Sequence, residues 1–570
     1  MEEFASTADI CRFTRWRKRT FPAATPPLKD PGSDEWVEDT EAKQELLFRT
    51  FTNPGVPAED QLEPPNAFPS TLPFPDITRH EVRQSVLETP STAPGMDGIP
   101  VSLLKVAWPL VEDRVFHLFC ACLKLGHHPD SFRKARVVVL SKPGDRDRST
   151  PRSYRPISLL STLGKGLERL VARRLSYVGL EHGIFGSQQF GALPRRSAVD
   201  LTSCLVRDVD FQFRNLRVAS LLTLDIQGAY DAIFPGRLRR RLAEQGWPKP
   251  LVDWVFSFAS DRSVALTLDG HQSRMFKAQR GLPQGSPISP VLFLLYTAPL
   301  HHLALRSSSF GYVDDVALLA RGTSVEDTVQ DLAADVETLL TWAKENAVSF
   351  DPKKSELLHF TRKRRPGTQV NPGISLPATA DRPAWAIDAV PRDGCVRWLG
   401  VWFDRGMTFI QHIRRAKSKA LGCAGTIQGM GRMMRGTAPR VLQRVVRAAI
   451  LPIFLYASST WWPVPDAKHH RAGGRTILQA TTQVLRAAGK AVLPVWRTSP
   501  TAAILREAGL PTAHSLLQYH SASKGLSLKD LMKELLDLDH YDGYTILESI
   551  SVFTPMSQQL VPVSSLRVNM

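Results

Sequence analysis

Two adjacent carboxylates constrain this chain more than any other feature. Asp314 and Asp315 lie between two apolar, β-prone runs in FGYVDDVALLA, residues 310–320. Apolar runs on both sides of a polar pair predict a strand, a tight turn and a second strand, with the acids at the tip. Neighbouring carboxylates raise each other's cost of ionising, and a fold that displays them together usually neutralises them with a hard divalent cation.

A third acid ends another apolar run. The stretch ASLLTLDIQGAYD, residues 219–231, predicts a buried strand that ends at Asp225. Three carboxylates from two strand ends suit a two-metal phosphoryl-transfer site, in which paired ions hold the attacking and the leaving oxygen. At this point an ordinary polar turn and an unrelated strand-end aspartate remain an open alternative, because short motifs often occur by chance.

The charge of the chain indicates a polyanionic partner. The 570 residues carry a formal net charge of +17, with clusters of Arg and Lys at 237–241, 362–365 and 414–419. Such an excess favours nucleic acid over a simple solubility role. The basic runs at 15–19 and 362–365 are compatible with nuclear import, although a solvated or phosphate-facing patch explains them equally well. The longest apolar run, 291–300, is too short to span a bilayer, so we expect no membrane partner.

Helix and strand signals divide the chain into stretches of different character. Residues 1–75 resemble a connector with one helix at 38–51, and residues 516–570 a weakly patterned tail. Between them the sequence predicts an α+β layer of a small sheet backed by helices, followed by a helical stretch from 405 to 515. Residues 361–390 are expected to form a loop or insertion. A capping box is predicted at SVED, with Ser324 as the cap and Asp327 three residues on.

The order of the motifs carries a family resemblance. KPG at 142–144 precedes YRPISLL at 154–160, the Asp225 strand, GLPQGSPISPVLF at 281–293 and YVDD, and FDPKKSELLHF and RWLGVWF follow. Over residues 70–515 this order resembles the reverse transcriptases of non-LTR (LINE-like) retrotransposons. The resemblance implies the fold of a right-hand polymerase, with fingers and palm at 76–404, the fingers at roughly 76–210, and a helical thumb at 405–515. It also implies an RNA template, a DNA primer and deoxynucleoside triphosphates.

The resemblance assigns roles to the acids. Asp225, Asp314 and Asp315 are implied to hold two Mg²⁺ ions, with Mn²⁺ as a substitute, and the carbonyl of Ile226 is implied as a further ligand. Lys354 is implied as the general acid for pyrophosphate, although Lys353 beside it leaves the assignment uncertain by one residue.

Other positions are implied to contact the substrates. Lys142 and Arg155 match the two cations that grip the triphosphate, with the loop 144–150 blurring the register of Lys142. Tyr230 matches the aromatic residue that excludes a ribose 2′-hydroxyl; a core aromatic is the alternative. Gln284 can contact the nucleotide or the template base. Gly285 lacks a side chain, which permits close approach of a ligand, and a structural turn would explain it too.

A last motif, Trp398, Leu399 and Gly400, resembles the hairpin that supports the primer end, and packing explains these residues equally well. The chain departs from the family at Val313, where Ala is commoner, and at Gly228, where many relatives carry a polar residue or Lys. We recognise no endonuclease before residue 75 and no RNase H or zinc knuckle after the thumb. Two alternatives stay open: an inactive or domesticated nucleic-acid-binding remnant, and an intron-maturase-type reverse transcriptase.

Overall fold

The chain folds into two compact units, which are described separately. The computed structural model describes residues 24–52, 70–144, 146–362, 371–379, 384–433, 438–462 and 473–522. The first unit ends at Ala416 and the second begins at Lys417. The basic runs at 15–19 and 363–365, much of the expected connector and most of the expected tail lie outside the described residues.

The strands all belong to the first unit, as far as the described residues show. In chain order they are β1 Leu28–Lys29, β2 Trp36–Val37, β3 Lys134–Ser141, β4 Tyr154–Leu159, β5 Gln189–Phe190, β6 Val218–Asp225, β7 Arg262–Leu268, β8 His271–Gln272, β9 Phe276–Ala278, β10 Ser308–Tyr312, β11 Asp315–Gly322, β12 Glu356–Phe360, β13 Ile374–Leu376, β14 Trp385–Ile387, β15 Cys395–Trp398 and β16 Val401–Asp404.

Helices surround these strands and extend past them. They are α1 Thr40–Thr52, α2 Arg79–Leu87, α3 Val101–Lys124, α4 Asp130–Arg133, α5 Thr162–Glu181, α6 Ala198–Arg214, α7 Pro235–Glu244, α8 Lys249–Ala259, α9 Ser289–Thr297, α10 Val325–Glu345 and α11 Ile410–Met433, the last of which runs into the second unit. The expected α+β layer is therefore present.

The first sheet positions the acids. Its strand order is β12–β6–β11–β10–β5, antiparallel except for the β5–β10 pair. Its central strands are Leu- and Val-rich and buried, as the apolar runs predict, and helix α10 packs against β6 and β11. The predicted capping box begins this helix, because the Ser324 hydroxyl accepts a hydrogen bond from the Asp327 N–H at 3.1 Å, and the Asp327 carboxylate accepts one from the Ser324 N–H.

The second sheet joins β4, β3, β7 and β8, and β9 also pairs with β7. Strands β3 and β7 are parallel, and the other pairs are antiparallel. Leu46 and Leu47 of α1 pack in one core with Val137 and Leu266 of this sheet. Residues 24–52 thus form part of a sheet-and-helix layer, a role beyond the connector expected from the sequence.

Two short hairpins complete the first unit. The β15–β16 hairpin turns at Leu399 and Gly400, both of which have positive φ. Strands β13 and β14 pair within the stretch 361–390, and Ile374 and Trp385 belong to the main core. The prediction of a loop there is wrong for the part that the structure describes, because the apolar side chains of these short strands find a buried surface.

The second unit is helical over its described residues, as predicted. After the rest of α11 come α12 Pro439–Val445, a π turn at Val446–Ile450, α13 Leu451–Phe454, α14 Ser458–Trp461, α15 Gly474–Val492, α16 Thr501–Glu507 and α17 Ala513–Ala522. One face of α15 is apolar and buried, including Ile477, Val484 and Leu485. In the described part of the chain, no helix is both long and apolar enough to cross a membrane.

Candidate active site

The paired acids occupy the turn that the sequence predicts. Tyr312 of β10 pairs with Asp315 of β11, so Val313 and Asp314 are the two loop residues of a tight hairpin. The φ angle of Val313 is 56°, in the left-handed region that β-branched residues rarely adopt. The turn therefore displays Asp314 at its tip at a cost in backbone strain.

The third acid lies beside this turn. Asp225 is the last residue of β6 and is the register partner of Asp315 across the β6–β11 ladder. Directly opposed residues of adjacent strands project from the same face of a sheet. All three carboxylates therefore meet at one end of the first sheet, as the sequence analysis expects.

Burial makes this group of charges costly. It raises the pKa of Asp314, and the charge of Asp225 raises this pKa further. The charge of Arg155 lowers it. It also raises the pKa of Asp315 to about 6, with further contributions from Asp314 and Asp225. A site that holds three acids under these conditions is stabilised by any cation that binds them.

Lys354 supplies one such cation. Its Nζ donates a hydrogen bond to Asp225 Oδ2 at 2.7 Å and lies 3.4 Å from Asp351. Burial opposes the charge of Lys354, but the hydrogen bond and the two acids outweigh it and raise the pKa. The backbone N–H of Lys353 donates to Asp351 Oδ1 at 3.1 Å, and of the two lysines it is Lys354 whose ammonium forms a hydrogen bond with Asp225.

The acids fit a hard divalent cation in their chemistry, because carboxylate oxygens are its preferred ligands. Among the residues that the structure describes, no group of three or more acidic, His or Cys side chains has the geometry of a formed metal site. The ammonium of Lys354 uses one oxygen of Asp225. The second oxygen of that carboxylate, with the carboxylates of Asp314 and Asp315, would be the donors to such a cation.

The Ile226 carbonyl is compatible with a ligand role. Ile226 forms an isolated bridge with Phe350. The two hydrogen bonds around it run from Gln227 to the Ser349 carbonyl and from Asp351 to the Asp225 carbonyl. Neither of these two bonds uses the Ile226 carbonyl. A role as metal ligand requires that these bonds leave the carbonyl oxygen available.

Tyr230 lies between the core and the acids. Its ring packs on Phe293, with centroids 5.6 Å apart, and its pKa is raised by burial and by the charge of Asp314. Its backbone carbonyl accepts a hydrogen bond from the Leu282 N–H at 2.7 Å, which ties this turn to the GLPQG loop. The position suits both the gate and the packing interpretation of this aromatic residue.

The GLPQG loop is held by the protein itself. The Gln284 amide donates to Asp231 Oδ1 at 3.4 Å, and the Gln284 carbonyl accepts from the Ser158 N–H at 2.7 Å. Gly285 has φ 125°, and a Cβ there would lie 2.6 Å from the Ser158 carbonyl oxygen. Strand β4 therefore makes one close approach that Gly285 permits, in line with the structural interpretation of this loop, and the approach of a ligand stays a prediction.

Asp231 is a residue that the sequence analysis missed. Burial raises its pKa to about 6, and the Gln284 hydrogen bond and the charges of Arg262, Lys142 and Arg280 lower it. The side chain thus sits between Gln284 and several cations. Its position at the end of LDIQGAYD was a usable signal, because an acid directly after Tyr230 is brought to the same turn.

The two predicted triphosphate cations are each coupled to one acid near the turn, because the charge of Arg155 lowers the pKa of Asp314 and the charge of Asp231 raises that of Lys142. Arg155 follows Tyr154 on β4 and pairs with Leu140, and Lys142 donates to the Arg152 carbonyl at 2.9 Å. Burial lowers the pKa of Lys142, and so do the charges of Arg155, Arg146 and Lys354, while Asp231 opposes them. The Lys142 N–H donates to the Ser153 carbonyl at 2.8 Å, which ties the end of β3 to the residue before β4; the match of Lys142 to the family's cation stays a prediction.

The predicted primer hairpin adjoins the YVDD strand. Trp398 is buried, and its ring meets Phe310 of β10 edge-on with centroids 6.5 Å apart. This contact favours packing for Trp398, while Leu399 and Gly400 form the turn of the hairpin. The hairpin thus supports the strand that leads to Asp314.

The basic cluster at 237–241 is largely engaged within the protein. Arg237 donates to the Glu345 carbonyl at 2.9 Å. Arg239 pairs with Asp253 at 2.7 Å, and Arg241 with Glu244 at 2.9 Å. These contacts reduce the share of the cluster that can neutralise a polyanion.

Comparison with known proteins agrees with the site. Residues 140–403, which include every predicted site residue, match the family model described as reverse transcriptase (RNA-dependent DNA polymerase). Over these residues the chain is similar to reverse transcriptases, as the order of its motifs indicates.

The relatives are retrotransposon proteins. The probable RNA-directed DNA polymerase from transposon BS of Drosophila melanogaster is 26% identical over 421 residues, covering 72% of this chain and 45% of that protein. The RNA-directed DNA polymerase from mobile element jockey of Drosophila funebris is 28% identical over 444 residues, with coverages of 72% and 45%. The chain spans less than half the length of these relatives.

A solved structure, apo telomerase from Candida tropicalis truncated from its C-terminal domain, is 11% identical to this chain. The match covers 44% of this chain and 52% of the telomerase chain, with a TM-score of 0.31, which is too low to establish a shared architecture.

Proposed function

We propose that this chain is an RNA-directed DNA polymerase that extends a primer 3′-hydroxyl on an RNA template with deoxynucleoside triphosphates. The observation that carries the proposal is the meeting of Asp225, Asp314 and Asp315 at one end of the first sheet, with raised pKa values for Asp314 and Asp315. The family match supports it. Under this proposal the chain has the parts of a right-hand polymerase: fingers at 76–210, a palm that continues to 404 and a thumb at 405–515.

The acids hold the catalytic cation under this proposal. Asp225, Asp314, Asp315 and the Ile226 carbonyl are the groups that would bind Mg²⁺, or Mn²⁺ in its place. When bound, the metal ions lower the proton affinity of the primer hydroxyl and stabilise the leaving pyrophosphate. The pKa of Asp315, about 6, leaves a small fraction of this carboxyl protonated near neutral pH, and a bound cation would favour its ionised form.

The surrounding cationic side chains bind the triphosphate under this proposal. Arg155 and Lys142 supply a fork and a point charge for phosphate oxygens. Its acidic neighbours raise the pKa of Lys354, so it is charged when substrate arrives. The raised pKa opposes release of that proton, so Lys354 would act as the general acid for pyrophosphate only once a cation bound at Asp225 has displaced it from that carboxylate. The bond to Asp231 fixes the orientation of the Gln284 amide, which contacts the nucleotide or the template base under this proposal.

The sugar is selected by Tyr230. Its ring is backed by Phe293 and cannot retreat without disturbing the core. A ring fixed in this way excludes a 2′-hydroxyl by contact. Cleavage of target DNA is assigned to no residue of this chain, and a nuclear location stays a prediction.

A primer-extension assay tests the proposal. Wild-type protein with oligo-dT on a poly-A template and dTTP is expected to extend the primer when Mg²⁺ is added. Asp314→Asn should reduce extension by roughly a hundredfold or more and leave duplex binding intact, because only the metal arrangement is lost. Asp113→Asn removes an exposed carboxylate of α3 as the matched control and should change little.

Two results would contradict the assignment. Asp314→Asn with extension within about tenfold of wild type would remove this acid from the metal site. Wild-type protein that binds the duplex but never extends it would favour the inactive, nucleic-acid-binding remnant.

A further inference from the structure

The loop between α5 and α6 is attached to the strand that carries the catalytic turn. Its residues 186–196 are named the brace here. Strand β5 of the brace pairs in parallel with β10. The Gly311 N–H donates to the Gln188 carbonyl at 3.0 Å, and the Val313 N–H donates to the Phe190 carbonyl at 3.1 Å. The second bond reaches the residue directly before Asp314.

The brace is closed on itself by one side chain. The guanidinium of Arg196 donates to the Gly186 and Gln189 carbonyls, both at 2.8 Å, and lies over the Phe190 ring. The Gly191 N–H donates back to the Arg196 carbonyl at 3.1 Å. The loop therefore has internal bonds that fix its shape before it meets β10.

Gly191 packs directly on the catalytic turn. Its φ is +80°, and a Cβ there would lie 2.7 Å from Val313 Cγ2 and 3.2 Å from the Tyr312 ring. Val313 has φ 56°. A β-branched residue keeps such a conformation only where its surroundings hold it. The contact with Gly191 and the bond to Phe190 are two such constraints.

We propose that the brace holds Val313 in its left-handed conformation and so places Asp314, with Gly191 and Arg196 as positioning residues. The effect of the brace on catalysis rests on the proposed function. Its effect on the conformation of the turn rests on the geometry alone. Neither residue needs to touch the substrate. Their role is to hold the carboxylate of Asp314 next to those of Asp225 and Asp315.

Gly191→Ala tests the brace, with Gly270→Ala as the matched control. Gly270 has φ +86°, and a Cβ added there would meet no atom within 4 Å, so this control carries the same backbone strain without a collision. Gly191→Ala should speed hydrogen exchange of the Gly311 and Val313 amides by about tenfold or more. It should also lower kcat about tenfold, with the KM for dTTP and the duplex affinity nearly unchanged. Gly270→Ala should do neither.

A double-mutant cycle with Val313→Ala identifies the contact. Removing Cγ2 takes away the nearest collision, so Gly191→Ala should cost several-fold less, in exchange rate and in kcat, in the Val313→Ala background than in wild type. The rescue should be partial, because the Tyr312 ring stays close to the new methyl group.

The outcomes separate the two proposals. A wild-type protein without extension activity overturns the proposed function, and the exchange rates still decide the brace. The brace is overturned if hydrogen exchange of the Gly311 and Val313 amides is unchanged in Gly191→Ala. It is also overturned if Gly191→Ala has the same effect on exchange and kcat in the wild type and in the Val313→Ala background. If Gly191→Ala does not fold, Arg196→Met, which removes the donors to Gly186 and Gln189 and keeps the stem, should produce the same faster exchange; unchanged exchange there overturns it too.

Discussion

The Tyr230 ring packs on Phe293 and lies near enough to Asp314 for that charge to raise its pKa, and this position determines what its loss should do. Tyr230→Ala opens the space that the ring fills against Phe293. We expect incorporation of ribonucleotides relative to deoxyribonucleotides to rise by about tenfold or more, because the 2′-hydroxyl no longer meets a ring. Single-nucleotide extension with UTP and dTTP measures the ratio. Tyr230→Phe keeps the ring and should keep the selectivity; an unchanged ratio in Tyr230→Ala would return this residue to a packing role.

Glu168 is a residue at which pH and stability are coupled. Its side chain is fully buried on α5, and the Ser286 hydroxyl of the PQGSP loop donates to its Oε2 at 2.5 Å. Burial raises the pKa of Glu168 to about 7, although the Ser286 bond and the charges of Lys165 and Arg169 lower it. The folded protein therefore holds a proton here that the unfolded chain releases near its usual value of about 4.5.

The sign of the pH effect follows from this order. The stabilisation is complete below the unfolded pKa and is lost as pH rises through about 7, because ionisation then charges a buried group. Relative to Glu168→Gln, which does not titrate, the wild type should lose up to about 3 kcal/mol of unfolding free energy between about pH 4.5 and pH 8. Urea unfolding of both proteins across this range measures the difference. A difference that stays constant with pH would show that Glu168 keeps its ordinary pKa.

At the scale of elements, local signals predicted what local physics determines. The helix cap at Ser324, the strand ending at Asp225 and the hairpin around Asp314 all depend on residues close in sequence, and the structure confirms them. The strands β13 and β14 and the packing of α1 on the second sheet depend on apolar surface supplied by distant segments. A short apolar run cannot show from its own sequence which surface will cover it.

The site divides in the same way. Family motifs identified the acids, Tyr230 and Gln284, but the choice of Lys354 over Lys353 required the ion pair with Asp225. Asp231 and Glu168 were missed because their roles come from burial and from partners far along the chain. The brace was missed for the same reason: Gly191 and Val313 are contacts only in the folded chain.

At the scale of the whole molecule, the charge of +17 is unevenly available. The cluster at 237–241 is largely engaged in internal pairs, whereas Arg414 and Arg415 are exposed at the start of α11, with Arg415 over the Trp402 ring. Between residues 405 and 515 the sequence contains only two acids, Asp466 and Glu507. Because so few acids are present to neutralise its cations, this helical stretch has an excess of positive charge. We therefore expect phosphates to bind there.

Salt dependence of duplex binding measures that expectation. Each phosphate contact contributes about 0.9 to the slope of log affinity against log salt for B-form DNA, and a heteroduplex is taken as similar. Replacing Arg414 and Arg415 with Ala should therefore flatten the slope by up to about 1.8 and weaken binding equally on all sequences. The charge-matched control replaces Arg79 and Arg306, which pair with Asp113 and Asp331. An equal loss of slope in both double variants would mean that net charge alone, without a phosphate-binding surface on α11, draws the nucleic acid to the protein.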